Sequence, residues 1–485
     1  MLRFVELAVE ARKARVLREV LHFFKNITQN TAVSGVEAVV RRLITLAEAR
    51  VSVAQAAAEI AAGTVAEART TVSAVETQIS GAEDDLDAVE TPESLLLSTV
   101  SAEGDRERAD RQTVTPWLKF LWEAYRIALD ILRNNVRMEL LYQTVANQAF
   151  AFCLRHARKI EFRRLCDLLR QHLATAAKYA HQSHSINLAD SETLQRQLDT
   201  RFIQLNAAAD LELWQEAFRS VEDIYNLMNM SKKTAKPPFM MANYFGKLSK
   251  IFLVGDNYLF HAAALNKYFA IARVHKNMSK EEFEKYASRP LHFLPLRSAL
   301  NSKQSNHHSS PSIRTASLVI LSSLAIPIIS YSRTDPDEHK PKIQRLTNLV
   351  KMTKAPSRDA LLRDAISKSL LPRASKEIAQ LYDALENKFH PLQICKKIEP
   401  IMKLLADHED YSKYIKPLRE VIVTRVLQQV CHIGDFLMSL CAKLSKFPNL
   451  SSLKSTLQSN FHLSWPSVAS RNPLGSLLTR LKSSL

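Results

Sequence analysis

From Thr115 to Val274 the chain repeats one pattern with almost no punctuation, and that pattern leaves few folds open. Thr115 followed by Pro116 suits a helix start, because proline lacks an N–H that the first turn cannot use and already holds a helical φ. Leu118, Leu121, Trp122, Tyr125, Leu129 and Leu132 then fall on one stripe of a helix turning every ~3.6 residues. Met138, Leu141, Tyr142, Val145, Ala149 and Phe152 form a second stripe, and Phe162, Leu165, Cys166, Leu169, Leu173 and Ala176 a third. None of these helices can hide its stripe alone, so each must be covered by its sequence neighbour, as in a helical solenoid. Such a fold offers a long wall to partners rather than a pocket for chemistry.

Glycine supports the same reading. Only 8 occur in 485 residues, whereas strand-and-turn folds and phosphate-cradling loops need glycine wherever φ must be positive. The chain is therefore read as all-α. No GxGxxG, GxxxxGK(S/T), HExxH or GxSxG run occurs, so no spacing points to a catalytic mechanism or a cofactor. Cys153, Cys166, Cys395, Cys431 and Cys441 are too scattered for a metal or redox pair, and His181 with His184 lacks a third ligand nearby. No catalytic residue, metal or cofactor is expected. Glu6 and Glu10 argue against a signal or transit peptide. The most apolar run, Leu318 to Ile329, is broken by Ser322, Ser323 and Pro327 and falls short of the ~20 residues a membrane span needs. A cytoplasmic protein with no membrane partner is the expectation.

The formal net charge is +17, which favours an acidic partner, nucleic acid first. Part of that balance is compositional, because no Asp or Glu occurs between Pro290 and Thr334 or after Asp435. Two clusters remain as candidate RNA contacts. Arg155, Arg158, Lys159, Arg163 and Arg164 surround one helix junction, and Lys413, Lys416 and Arg419 recur at three-residue steps on the last helix, provided Pro417 does not break it. The functional reading is phosphate contact; the alternative is a solvated helix face. Trp214, Phe218, Tyr244, Phe245, Phe260 and Phe269 sit at helical spacing and read as core rather than as a base-stacking platform.

Taken in order, residues 1–112 read as N-terminal helices, broken near Asn26 to Asn30 and at Ser34 and Gly35, followed from Gly81 by an acidic mobile linker. Residues 113–289 carry the repeats. Asp190 or Ser191 is expected to cap the helix with Leu198, Phe202 and Leu205, and Asp210 the next, with Leu211, Trp214, Phe218, Val221 and Tyr225. Leu213, Trp214 and Ala217 can be laid over Leu259, Phe260 and Ala263 at an offset of about 46 residues, the length of a two-helix repeat. Residues 290–317 are rich in proline, serine and histidine and read as a disordered insertion. Helices resume over 318–430, the last being Tyr411 to Gln429, and 431–485 reads as a poorly ordered tail.

Four runs then carry a family likeness: WQEAFRSVEDI (Trp214 to Ile224), NYLFHAAAL (Asn257 to Leu265), NKFHPL (Asn387 to Leu392) and KIEPIMKLLADHEDYSKYIKPLRE (Lys397 to Glu420). With them the chain resembles the largest (a) subunits of eukaryotic translation initiation factor three, in a fungal-like form, over most of Leu2 to Arg289 and Leu318 to Val430. The resemblance implies a tetratricopeptide-like helical solenoid leading into the helical part of a PCI domain over 318–430. It implies a non-enzymatic scaffold that joins other subunits of the initiation factor complex, foremost a second PCI subunit. That scaffold would hold the small ribosomal subunit, with rRNA or mRNA as further partners. A PCI scaffold of the proteasome lid or signalosome is the alternative. The family has further helices before the position of Met1, continuous helix across 290–317, and a winged-helix half beyond Val430. The two departing segments have the composition of translated non-coding sequence, so retained introns or gene-model errors are expected there.

Overall fold

In the computed structural model, residues 1–28, 33–68, 86, 113–133, 135–179, 185–188, 190–230, 238–275, 311–327, 336–391 and 393–444 are described. Every regular element among them is a helix. The described residues up to Met230 belong to one compact unit, and those from Pro238 onward to a second.

The first unit opens with α1 (Leu2–Glu10), α2 (Ala14–Thr28) and α3 (Val33–Ala68). The chain breaks at Ala11 to Lys13, where no break was predicted, while Ser34 and Gly35 lie inside the first turn of α3. A glycine there costs little, because first-turn N–H groups have no partner within the helix in any case. Next come α4 (Thr115–Leu132), α5 (Glu139–Arg155), α6 (Lys159–Lys178), α7 (Ser191–Asp210) and α8 (Trp214–Met230), each packed on a sequence neighbour. Every member of the first two predicted stripes is buried, and in the third only Leu173 is half-buried. On α4 burial extends beyond its stripe to Phe120, Ala124, Ile127, Ala128 and Ile131, because α2, α3 and α5 all pack against it. The Tyr125 hydroxyl donates across this packing to Glu48 Oε1 on α3 at 2.6 Å. Leu86, within the stretch predicted to be an acidic linker, is buried.

Among the described residues one turn geometry recurs at six places. Arg12, Ala157, Glu212, Asp256, Lys351 and Ser369 all have φ between 50° and 59°, and none is glycine. In each case the N–H of the following residue donates to the carbonyl five residues back, as Leu213 does to Ala208 at 2.9 Å and Asn257 to Phe252 at 2.9 Å. This is the closing bond of a left-handed helix cap. It corrects two expectations. Asp210 is the last residue of α7 rather than the cap of α8, because the chain reverses at Glu212. Matching Glu212 to Asp256 sets an offset of 44 residues (256 less 212), so Trp214 corresponds to Tyr258 and the likeness at about 46 is displaced by two positions. Asp190 does cap α7, accepting the Thr193 N–H on Oδ2 at 3.3 Å.

Polar groups inside the first unit are joined to one another. Arg201, 2 % exposed, donates to Gln204 Oε1 at 2.6 Å; Gln204 Nε2 donates to the Ser220 hydroxyl at 2.9 Å, and that hydroxyl to the Glu216 carbonyl. Arg170 on α6 bonds both Glu216 and Asp223 on α8. The network pins α6, α7 and α8 together by directional bonds that apolar packing does not supply.

The second unit holds α9 (Pro238–Val254), α10 (Tyr258–His275), α11 (Pro311–Leu324), α12 (Pro336–Leu349), α13 (Arg358–Ser367), α14 (Lys376–Tyr382), a π-helical turn (Asp383–Asn387), α15 (Ile394–Ala406), α16 (Glu409–Ser412) and α17 (Ile415–Leu444). One apolar core runs through it, built from Phe269, Val319, Leu321, Leu381, Ile398 and Leu418 among others. Two boundaries differ from expectation. α11 begins at Pro311, inside the segment predicted to be disordered to Ser317; Ala316 and Ser317 are fully buried, and the Ser317 hydroxyl oxygen accepts the Ser375 N–H at 2.9 Å. α17 continues to Leu444, past the predicted end at Gln429. Residues 276–310 and 445–485, which hold the rest of the predicted insertion and tail, lie outside the described residues.

Candidate nucleic-acid interface

The first basic cluster is assembled by the left-handed turn at Ala157, which sets the end of α5 against the start of α6. Arg155 is the last residue of α5, Arg158 precedes α6, Lys159 is its first residue, and Arg163 lies one turn further on the same face as Lys159. Arg155, Lys159, Arg163 and Arg164 are exposed and Arg158 is half-buried. The side chains of Arg155, Lys159 and Arg163 make no hydrogen bond or ion pair with any described residue.

The one acid in the first turn of α6, Glu161, does not neutralise this surface. It is 1 % exposed, and its Oε1 accepts the Leu86 N–H at 2.8 Å. Cations in a first turn face the positive end of the helix dipole, at a cost of about 0.3–1 kcal/mol each. The same field attracts anions, so the junction is disposed to take phosphate. Burial, aided by the Arg155 and Arg158 cations, lowers the His156 pKa to about 4, leaving that ring neutral at pH 7.

The second cluster is divided by the fold. Pro417 is buried in the first turn of α17, which continues past it, but the helix begins only at Ile415, so Lys413 lies in the preceding turn while Lys416 and Arg419 lie on α17. The expected single flank is therefore two segments. All three side chains are exposed, without a hydrogen bond or ion pair to a described residue.

The aromatic residues are placed as core: Tyr244, Phe245, Phe260 and Phe269 are buried, and Trp214 and Phe218 are half-buried. Cys153 and Cys166 are buried free thiols whose pKa burial pushes up, so neither is a ready nucleophile. His181 and His184 lie outside the described residues. Among the described residues no three His, Cys, Asp or Glu side chains converge as metal ligands, and no helix is long and apolar enough to cross a membrane. Two features escaped sequence reasoning, the inward turn of Glu161 and the Arg170–Glu216–Asp223 network. Both depend on contacts between helices, for which one-dimensional spacing carries no signal.

Residues 1–308 and 297–393 match the family model described as eIF3a, PCI domain, TPR-like region. The chain belongs to this family. The two matched eIF3a stretches overlap at 297–308, within the segment predicted to be an insertion. Similar eIF3a proteins include the A subunit of eukaryotic translation initiation factor 3 from Aspergillus clavatus, 48% identical over 461 residues, which are 92% of this chain and 41% of that protein. Its counterpart in Chaetomium globosum is 50% identical over 461 residues, 92% of this chain and 40% of that protein. The counterpart in Coccidioides immitis is 47% identical over 474 residues, 95% and 43% respectively. The chain thus spans about two fifths of the length of these eIF3a relatives. None of them supports the alternative of a proteasome-lid or signalosome protein.

Proposed function

We propose that this chain is a non-enzymatic scaffold of a cytoplasmic translation initiation factor 3 complex. It would join other subunits, including a second PCI subunit, and would hold the small ribosomal subunit to promote recruitment of mRNA and initiator tRNA. Its family membership and the names of its relatives support the complex. The observation that carries the ribosomal reading is the trio Arg155, Lys159 and Arg163, exposed and without ion-pair partners among the described residues at a rigid helix junction. Charges held out of internal ion pairs on packed helices are available to phosphate without a conformational cost. Lys413, Lys416 and Arg419 supply a second candidate contact of the same kind.

Co-sedimentation with purified small ribosomal subunits across a salt series tests the reading. Binding that weakens steeply with salt, and that falls when Arg155, Lys159 and Arg163 are replaced together by alanine, is the expected result. Absence of co-sedimentation at low salt would overturn it.

A further inference from the structure

One point of the fold ties the acidic stretch of the sequence to the first basic cluster. Leu86 is 3 % exposed, and its N–H donates to Oε1 of Glu161 at 2.8 Å, across 75 positions of sequence. Glu161 is buried in the first turn of α6, two residues after Lys159 and two before Arg163. Side-chain burial and a bond to a buried carboxyl oxygen together fix Leu86 more firmly than either would alone. In the sequence Leu86 is preceded by Glu83, Asp84 and Asp85 and followed by Asp87. Consecutive Cα atoms lie about 3.8 Å apart across a trans peptide, so fixing Leu86 keeps the Cα atoms of Asp84, Asp85 and Asp87 within about 8 Å of its own, whatever their conformation. That span matches the Debye length of about 8 Å at physiological salt, so these aspartates and the cluster lie within reach of each other's field.

Three aspartates tethered beside Glu161 repel one another, and the cations that can offset them are those of the α5–α6 junction: Arg155, Arg158, Lys159, Arg163 and Arg164. We propose that Leu86 anchors the chain's own acidic stretch as an intramolecular competitor for phosphate at this junction. Glu161 is the positioning residue, because it holds the Leu86 backbone at the first turn of α6. Phosphate displaces the aspartates without moving α5 or α6, so affinity for RNA is set by the difference between two anions rather than by the cluster alone. The inference rests on reading the cluster as a phosphate contact and adds a regulator to it.

The test uses the full chain, a fluorescein-labelled uridine oligomer followed by anisotropy, and a zero-length carbodiimide, which joins a carboxylate to a lysine only where the two meet. The expected results are cross-links from Asp84, Asp85 or Asp87 to Lys159, lost in Leu86→Ser, and a gain of about fivefold in uridine affinity in that variant. Joint Asp84→Asn, Asp85→Asn and Asp87→Asn should give a similar gain. Leu86→Ser changes no charge, and the asparagine variant keeps the anchor, so release and neutralisation are read separately. Asp105→Asn, Glu107→Gln and Asp110→Asn together remove the same charge far from the anchor and should leave affinity within about twofold. No cross-link, an equal gain from that distant triple, or a Leu86→Ser gain that persists when Arg155, Lys159 and Arg163 are alanine would overturn the proposal. Uridine binding indifferent to Leu86→Ser would overturn the competition and leave the phosphate reading standing. No uridine binding by the wild type or by Leu86→Ser, even with the cross-link formed, would overturn both.

Discussion

The Tyr414 hydroxyl donates to Nε2 of His261 at 2.7 Å, joining two residues 153 positions apart in the core of the second unit. The direction follows from the other ring nitrogen. His261 Nδ1 lies 2.7 Å from the Ser249 carbonyl oxygen, which can only accept, so Nδ1 carries the proton and Nε2 must accept. Replacing Tyr414 with phenylalanine leaves a buried nitrogen without a donor. Urea unfolding of Tyr414→Phe should show a loss of about 1–3 kcal/mol.

The same burial makes stability depend on pH. Burial lowers the His261 pKa from 6.5 to about 4, and does the same to His172, where the Arg133 cation adds to the effect. Below pH 6.5 the unfolded chain takes up protons that the folded chain refuses, so unfolding is favoured progressively down to about pH 4. Each histidine contributes up to about 1.4 kcal/mol per pH unit in that window. Unfolding measured at pH 7 and pH 5 should differ less in His261→Gln, since glutamine keeps a donor and an acceptor without titrating.

Glu386 holds two guanidinium groups at once. Arg358 Nη2 donates to its Oε1 at 2.6 Å, and Arg425 donates to Oε1 at 2.9 Å and to Oε2 at 3.2 Å, tying α13 and α17 to the π turn. Burial alone would raise its pKa, but the two arginine hydrogen bonds outweigh burial and hold the carboxyl below its ordinary value. Its contribution is therefore present above the unfolded carboxyl pKa and is lost as pH falls through the folded one. With the carboxylate only 16 % exposed, Glu386→Gln should cost about 2–4 kcal/mol in chemical denaturation at pH 7.

Ala157 holds φ at 50° with no side chain that could compensate. A left-handed alanine carries about 1–2 kcal/mol of steric cost, against which glycine loses about 0.4–1 kcal/mol through its freer unfolded chain. Ala157→Gly should raise the stability of the first unit by up to about 1 kcal/mol, read as a shift in the denaturation midpoint with unchanged slope. A destabilised variant would mean that the turn is not strained.

The exposed trio can be removed without touching the core. Arg155→Ala, Lys159→Ala and Arg163→Ala together should leave stability within about 0.5 kcal/mol per site. If each meets a phosphate, the slope of log affinity against log salt for single-stranded RNA should shrink by about 2. Anisotropy titrations between 50 and 200 mM salt, over which a slope of about 2 corresponds to a roughly 16-fold change in affinity, measure that slope. An unchanged slope would assign the cluster to solvation alone.

Sequence by itself settled the helical class and most of the inward stripes, because burying one side of a helix imposes a spacing that can be read residue by residue. The stripe members from Leu118 to Leu132 and from Met138 to Phe152 are buried as that spacing requires. It also exposed the two basic clusters as composition, and the family through its longest runs. Tertiary structure decided where helices stop and what their charges meet. Arg12, Ala157, Glu212, Asp256, Lys351 and Ser369 share no side-chain type, yet all adopt the same turn, because the packing of the two helices on either side fixes φ there. Glu161 lies among cations in the sequence but inside the fold, and Lys413 is parted from Lys416 by the start of a helix. Burial and pairing of a charge depend on neighbours far along the chain, and local spacing does not encode them.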